Sequence, residues 1–250
     1  MKTVAARFIL LIHLACLAIV ALPFAAIAGD ASEARAKQVV DAIIEAYGGK
    51  TSLRSIKSVV ATGSITDFMQ GIGGHYARYY QQPDKLRIEV MPDQGGETRI
   101  LDAGRGWRGN GGALREVHGP PLQAMIYQYS YLDLPMGFVD NRSHATYAGT
   151  REWKGRPVDV LELTPSGAPL LRLFVDREKH LIVRVSAAFN MGMGASELIT
   201  EYEDFRPVGK VLFPFTLINY AGELKLSTIT LTNIQVNSTL NPELFTTIRP

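Results

Sequence analysis

Cysteine is almost absent from this sequence: Cys16 is the only one among 250 residues. The chain after it can therefore form no internal disulfide bond and no thiolate metal site, and at this length it can bury an ordinary hydrophobic core without either. The histidines of this later part, at positions 75, 118, 144 and 180, have no partner at metal-ligand spacing. We expect neither a metal nor a cofactor.

Motifs that carry catalysis are also missing. The sequence has no G-x-S-x-G elbow and no H-E-x-x-H pair. Glu201 and Glu203 would share one face of a strand and could act as a carboxylate pair, although two such acids are more often simply solvated. We expect a protein that is not an enzyme, and a hydrolase at these two acids is kept as a third hypothesis.

Charge is missing from the long apolar stretch that begins the chain. Residues 8–28 are uncharged, follow Lys2 and Arg7, and end in the small-x-small pattern Ala26-Ile27-Ala28 that a signal peptidase cuts. We predict a signal peptide over 1–28, cleavage after Ala28, a periplasmic location, and one domain over 29–250. A retained membrane anchor is the alternative, since the stretch is long enough to span a bilayer.

An excess of positive charge is absent from the predicted mature domain. The full sequence has 26 Lys and Arg against 24 Asp and Glu, and removing Lys2 and Arg7 makes the two counts equal. A neutral domain has no basic surface for a phosphate backbone, so we expect no nucleic-acid partner.

Hydrophobic periodicity predicts two helices among many strands. Asp30 and Glu33 form a capping-box pattern, an apolar stripe follows to Tyr47, and Gly48-Gly49 ends the first helix. The second helix begins at Pro120-Pro121 and ends at Pro135. Elsewhere apolar residues alternate with polar ones, as over 86–90 and 181–189, which indicates about ten antiparallel strands.

Two helices are too few to cover both faces of so many strands. We therefore predict an α+β fold in which one curled antiparallel sheet holds the helices against its concave side, with a space between them where an apolar ligand could sit. Over 224–236 the apolar phase slips twice, which either β-bulges or burial on both faces would explain.

The stretch 189–194 (FNMGMG) has the glycine spacing of a phosphate loop, but the residues after it read as a strand. Without a helix N-terminus the nucleotide interpretation fails. Two interpretations stay open: an ordinary hairpin loop, or an apolar rim at the mouth of a cavity.

Three segments, Ala42–Ile65, Thr200–Gly222 and Thr230–Thr246, resemble the outer-membrane lipoprotein-sorting-like proteins, the group around the LolA/LolB carriers. The resemblance implies an open half-barrel with helices as a lid over an apolar cavity, which shields lipoprotein acyl chains in the periplasm, with membrane-bound donor and acceptor proteins as partners. The carriers also depend on an arginine near the lid. No arginine here aligns with it, and Arg54, in a similar region, is not assigned that role.

We therefore predict a periplasmic carrier that binds a lipid or a lipoprotein acyl chain for transfer toward the outer membrane. The alternative is an envelope sensor whose lipid-binding site modulates a protein partner. Apolar side chains near the lid and the loops are predicted to bind the ligand: Phe68, Met69, Met125, Ile126, Tyr129, Met136, Phe138, Phe189, Met191, Met193, Phe213 and Phe215.

Overall fold

The structure is a computed structural model that describes residues 24–69, 71–92, 96–110, 113–140, 142–190 and 195–246. The helices are α1 (Phe24–Ala46), α2 (Lys50–Ser55), α3 (Pro120–Asp133), α4 (Met136–Val139) and a final 3-10 turn (Pro242–Phe245). The strands are β1 (Ser58–Asp67), β2 (Ile72–Gln81), β3 (Lys85–Pro92), β4 (Glu97–Asp102), β5 (Arg105–Asn110), β6 (Ala113–Val117), β7 (Ala145–Trp153), β8 (Arg156–Leu163), β9 (Leu171–Asp176), β10 (Ile182–Asn190), β11 (Ala195–Val208), β12 (Val211–Ala221) and β13 (Leu224–Val236).

All of these strands form one antiparallel sheet in the order β6-β5-β4-β3-β2-β1-β13-β12-β11-β10-β9-β8-β7. Two meanders, β1–β6 and β7–β13, are joined where β1 pairs with β13. The sheet has thirteen strands in the described part of the chain, where the alternation predicted about ten. Strands such as β5 (RGWRGN) and β6 (ALREV) are short and carry too few apolar residues for alternation to reveal them.

The two edge strands, β6 and β7, are consecutive in the chain, and the segment between them contains α3 and α4. Helix α3 contacts β4 and β5 in one half of the sheet and β10 in the other. The helical segment therefore bridges the two halves across the concave face, and the core lies between that face and the helices. The predicted open, curled sheet with a helical lid is confirmed.

Strand β13 contains the two irregularities that its sequence pattern indicated. Its register with β12 skips Leu226, and its register with β1 skips Thr232. Each skip is a β-bulge, which bends a strand and increases its twist. Opposite the second bulge, a Cβ built on Gly63 would lie 2.1 Å from the carbonyl oxygen of Thr230, so the two strands approach more closely there than a side chain allows. Bulges, and not burial on both faces, explain the slipping phase.

Helix α1 differs from its prediction at the start. It already includes Phe24, the first described residue, so Asp30 lies inside the helix and the predicted N-cap there is wrong. The residues before Asp30 include three alanines, which favour helix and extend it backward. The predicted cleavage point after Ala28 also falls within α1 of the full chain, and cleavage stays a prediction. In the described ranges, no helix is both long and apolar enough to cross a membrane.

The end of α1 is fixed against the sheet. The hydroxyl of Tyr47 accepts a hydrogen bond from the backbone N–H of Ile182 at 3.2 Å, and its carbonyl accepts one from the N–H of Leu212 at 3.1 Å. Gly48 follows with φ of 119°, and a Cβ there would lie 1.9 Å from the carbonyl oxygen of Lys210. The predicted glycine stop is therefore confirmed, and it lets the chain turn directly beside the β11–β12 turn.

Candidate binding cavity

Helix α3 forms the lid, and its first turns lie directly on strand β5. A Cβ built on Gly106 would lie 2.9 Å from Cδ1 of Leu122 and 3.1 Å from Sδ of Met125. The missing side chain at Gly106 is what lets the helix approach the strand. Pro120 and Pro121 begin the helix, as the sequence predicts, because a proline at the first position lacks only an N–H that would be unpaired anyway.

The end of α3 is held by a buried ion pair. The hydroxyl of Tyr80 donates to Oδ1 of Asp133, and Nη1 of Arg142 donates to Oδ2 of the same carboxylate at 2.6 Å. Burial raises the pKa of Asp133, although the charge of Arg142 opposes this shift. Burial would lower the pKa of Arg142, but the charge and the hydrogen bond of Asp133, together with Tyr80 and Tyr129, outweigh it and raise that pKa. We call Tyr80, Asp133 and Arg142 the lid latch.

A second fastening joins α4 to helix α2. Nη2 of Arg54 donates to the carbonyl of Val139 at 3.2 Å, and its Nε lies 3.5 Å from Oδ1 of Asp140. Arg54 thus contacts the segment that follows the lid helix.

The underside of the lid is lined with tyrosines. The hydroxyl of Tyr127 lies 3.4 Å from the carbonyl of Val185 and 3.3 Å from that of Leu198, so it bonds to two neighbouring strands. The hydroxyl of Tyr202 donates to the carbonyl of Tyr131 at 3.4 Å. Burial raises the pKa of Tyr131 to about 12, so this ring stays neutral at physiological pH.

An outer cavity of about 360 Å³ lies between the lid and the concave face of the sheet. Its apolar wall includes Ile65, Met69, Ile88, Val90, Ala124, Leu198, Leu226 and Ile229. Its polar wall includes Glu97, Arg99, Gln128, Thr200, Asn219 and Ser227, and the rings of Tyr76, Tyr127 and Tyr131 lie between the two. An adjoining groove of about 230 Å³ shares Ile65, Val90 and Glu97 with it.

A smaller inner pocket of about 40 Å³ lies beside the outer cavity. It is mainly apolar, with Arg78 as its one charged side chain. Tyr131 lines both spaces. Residues from the end of the lid also form its wall, namely Leu132, Leu134, Pro135 and Met136.

On the outer cavity's polar wall, Arg99 and Glu97 make a two-bond ion pair, with Nε to Oε1 at 2.6 Å and Nη2 to Oε2 at 3.0 Å. Arg108 contacts the same carboxylate. Burial would raise the pKa of Glu97, but its hydrogen bonds and the charges of the two arginines lower it. At this wall the single carboxylate of Glu97 is therefore shared by two guanidinium groups, those of Arg99 and Arg108.

Exposed apolar side chains gather at one end of the sheet. The large apolar residues that the described chain exposes are Phe68, Met69, Ile72, Met91, Leu170 and Leu224. They lie in or beside the β1–β2, β3–β4, β8–β9 and β12–β13 turns, which an antiparallel meander places at the same end. We call Phe68, Met69, Ile72, Met91 and Leu224 the apolar rim. Met69 is 61% exposed and also lines the outer cavity, so the rim adjoins the cavity mouth.

The predicted ligand-binding residues are distributed over several places. Met69 lines the outer cavity. Two line the inner pocket, Met136 and Phe213. Four are buried in the hydrophobic core, Met125, Phe138, Phe189 and Phe215. Two are half-buried on α3, Ile126 and Tyr129, and Phe68 lies on the rim. Met191 and Met193, and with them the choice between the two interpretations of the FNMGMG loop, lie outside the described residues. The role of all twelve in binding stays a prediction.

The cavity residues that the sequence analysis missed are mostly polar or aromatic. The expectation of an apolar ligand selects apolar side chains and gives no reason to select Arg99, Gln128, Thr200 or Asn219. The segment 127–131 (YQYSY) carries the signal that could have identified the tyrosines, since residues four apart share a helix face.

The acidic pair of the hydrolase hypothesis lies elsewhere. Thr200 and Tyr202 face the concave side, so Glu201, between them, points to the opposite face of the sheet. Glu201 accepts a hydrogen bond from Nζ of Lys154 at 2.7 Å, and Glu203 lies 3.9 Å from the same nitrogen. The pair is thus part of an ion-pair group on the other face of the sheet, outside both cavities, where the side chain of Glu201 is 7% exposed and that of Glu203 is 52% exposed. Among the described residues, no group of three His, Cys, Asp or Glu could hold a metal ion.

Comparison with known proteins shows the fold. No family model matches the chain, and no curated protein matches it. A DUF1329 family protein from Desulfovibrio piger is similar in structure, with a TM-score of 0.57 and 11% identity over 84% of this chain and 97% of the other. A domain described as an outer membrane lipoprotein-sorting protein, from Vibrio parahaemolyticus, has a TM-score of 0.55 and 10% identity over 85% and 97%. A LolA superfamily protein from Nitrosomonas europaea has a TM-score of 0.50 and 12% identity over 84% and 97%. The chain therefore has a LolA-like fold, and the resemblance is confirmed at the level of the fold.

Proposed function

We propose that this protein is an exported carrier without catalytic activity, which holds the acyl chain of a lipid or lipoprotein in the outer cavity and moves it across the periplasm toward the outer membrane. The observation that carries the proposal is the cavity of about 360 Å³ between the lid helix and the curled sheet. Its volume lies in the range of about 300–1,000 Å³ that small-molecule sites occupy.

The chemistry of the cavity wall suits an acyl chain. Each methylene group kept from water contributes roughly 0.8 kcal/mol, so a long chain needs a covered path through an aqueous compartment. Side chains such as Ile65, Val90 and Ile229 form an apolar wall that makes no directional hydrogen bonds to a ligand. Binding of this kind tolerates variation in chain shape, and the ligand can leave again.

The apolar rim gives the proposed carrier a place to exchange its ligand. Phe68 is 49% exposed, and the ammonium of Lys225 lies 4.7 Å from the centre of its ring. Exposed apolar groups beside a cavity mouth mark a surface that meets another apolar surface. We propose that donor and acceptor partners, or the membrane itself, meet the protein at this end.

A paired substitution on the lid tests the proposal. Ala124 lines the outer cavity, whereas Gln123 beside it is exposed. Ala124→Trp fills the cavity, and Gln123→Trp adds the same ring to the outside. In calorimetric titration with oleyl alcohol, a neutral single-chain lipid, we expect Ala124→Trp to weaken binding by about tenfold or more, which is about 1.4 kcal/mol. Gln123→Trp should bind as the natural protein does. Equal binding by both variants would refute the cavity as the site.

The sensor alternative stays a prediction, and a transfer assay separates it from the carrier. A carrier moves a labelled acyl chain from donor to acceptor vesicles at a rate that depends on its concentration. A sensor binds the lipid without speeding its transfer, and its affinity for a protein partner changes with lipid.

A further inference from the structure

Arg78 is a buried cation without a matching anion. Its side chain projects from β2 toward the concave side and the residue is 6% exposed. Its Nε has no hydrogen-bond partner, and no ion pair joins Arg78 to a carboxylate of the described residues. An uncompensated buried charge is strongly unfavourable, so a buried guanidinium with a free N–H indicates a position where an anion binds.

The surroundings of Arg78 add positive charge. Arg78 pairs across the sheet with Ile88, and Ile88 pairs with Arg99, so the two arginines share the concave face two strands apart, which is about 10 Å at 4.8 Å a strand. One carboxylate, that of Glu97, serves both Arg99 and Arg108. Asp67 also lines the outer cavity, so three guanidinium groups stand against two carboxylates and an excess of one positive charge remains at this wall.

Arg78 lies where the two spaces meet. Residues two apart on a strand share a face, and Tyr76 and Tyr80 flank Arg78 on β2. Tyr76 lines the outer cavity, whereas Tyr80 lines the inner pocket together with Arg78. Burial raises the pKa of Tyr76, while the charges of Arg78 and Arg99 oppose the shift, so both arginines act on this ring. An anion bound by Arg78 would thus lie in the inner pocket, beside the outer cavity.

We propose that Arg78 binds the carboxylate of a free fatty acid, whose chain extends through the outer cavity toward the apolar rim. The proposal rests on the proposed function for the acyl chain and narrows the ligand to a single-chain amphiphile with an anionic head. The Nε and Nη groups of a guanidinium form a fork that fits the two oxygens of a carboxylate. The inner pocket is lined mainly by apolar side chains and offers Arg78 as its one charged group for such a head.

The test compares oleate with oleyl alcohol, which has the same chain and no charge. In calorimetric titrations we expect the natural protein to bind oleate at least about tenfold more tightly than oleyl alcohol. Arg78→Gln should abolish this preference by weakening the binding of oleate while leaving the binding of oleyl alcohol unchanged. Arg172→Gln is the matched control, because Arg172 is exposed on β9 and paired with Glu162; it should retain the preference.

The outcomes separate the two proposals. Equal affinity of the natural protein for oleate and oleyl alcohol would overturn the anion site and leave the acyl-chain carrier intact, and this comparison needs no variant. A preference for oleate that survives Arg78→Gln would also overturn it. If neither lipid binds the natural protein, both proposals fail.

Discussion

Replacing Arg142 with methionine would remove one side of the lid latch and leave its carboxylate in place. Asp133 is 5% exposed and accepts hydrogen bonds from Tyr80 and Arg142. In Arg142→Met the hydroxyl of Tyr80 is the one latch partner that remains to the carboxylate. A neutral hydroxyl cannot replace the charge of the guanidinium, so we expect the end of α3 to detach more readily from the sheet.

The size of the effect follows from burial. Breaking a buried ion pair by removing one partner typically costs about 3–5 kcal/mol. The side chain of Arg142 is 24% exposed, so water reaches one side of the pair and the lower end, about 3 kcal/mol, is the better estimate. If that energy holds the lid alone, the α3 amides should exchange hydrogen roughly 100-fold faster, since each 1.4 kcal/mol is about tenfold.

Hydrogen exchange of the α3 amides, read by mass spectrometry, measures lid opening, and urea unfolding measures the whole domain. Adding Asp133→Asn to Arg142→Met removes the uncompensated charge, so the double variant should recover part of the loss. Arg156→Met is the control, because Arg156 is 66% exposed and lies 3.9 Å from Asp176, a surface contact worth about 0–1 kcal/mol. Unchanged α3 exchange in Arg142→Met, together with an unfolding free energy like that of the control, would show that the latch does not hold the lid.

Two further predictions concern the stability of the fold at Asp133 and at Gly63. Burial raises the pKa of Asp133 above its unfolded value of 3.8, so the folded protein takes up this proton at a higher pH than the unfolded chain does, and the stability that Asp133 contributes grows as pH falls through its folded pKa. The unfolding free energy of the natural protein minus that of Asp133→Asn should therefore increase from pH 7 to pH 4. A difference that decreases over this range would contradict the raised pKa. Gly63→Ala should destabilise the domain by about 1–3 kcal/mol in urea unfolding because its Cβ would lie 2.1 Å from a backbone oxygen at the bulge, whereas Gly73→Ala, whose Cβ would meet nothing nearer than 3.9 Å, should be close to neutral; equal effects would refute the close approach.

Local sequence rules were sufficient for the parts of the fold that local chemistry decides. Prolines at 120 and 135 bound the lid helix because proline fits a first turn and interrupts an interior one. The two phase slips in 224–236 correspond to two bulges, since one extra residue in a strand moves every later side chain to the other face. The curl of the sheet could therefore be anticipated from a pattern of period two.

The interior of the cavity could not be predicted in the same way. Tyr80 and Asp133 are 53 positions apart, and no periodic pattern joins them. Arg78 occupies an ordinary strand position in its sequence context, and only the register of β2 against β3 and the lid above it show that its charge is buried. Polar groups on the concave face depend on which strands meet across the sheet, and that depends on contacts far apart in the chain.

The lid latch and the inner pocket share residues, so closing the lid and enclosing the pocket are one event. Tyr80 belongs to the latch and to the pocket wall, and Leu132 and Leu134, on either side of Asp133, line the pocket as well. A lid end that moved away from Tyr80 would open the pocket and admit water to Arg78. A carboxylate bound at Arg78 would occupy this pocket, and the pocket is enclosed only while the lid is closed. By mass action, a ligand that binds the closed form and not the open one stabilises closure. Oleate should therefore slow hydrogen exchange of the α3 amides in the natural protein and should not slow it in Arg78→Gln. If oleate slows exchange equally in both proteins, the head of the ligand binds elsewhere.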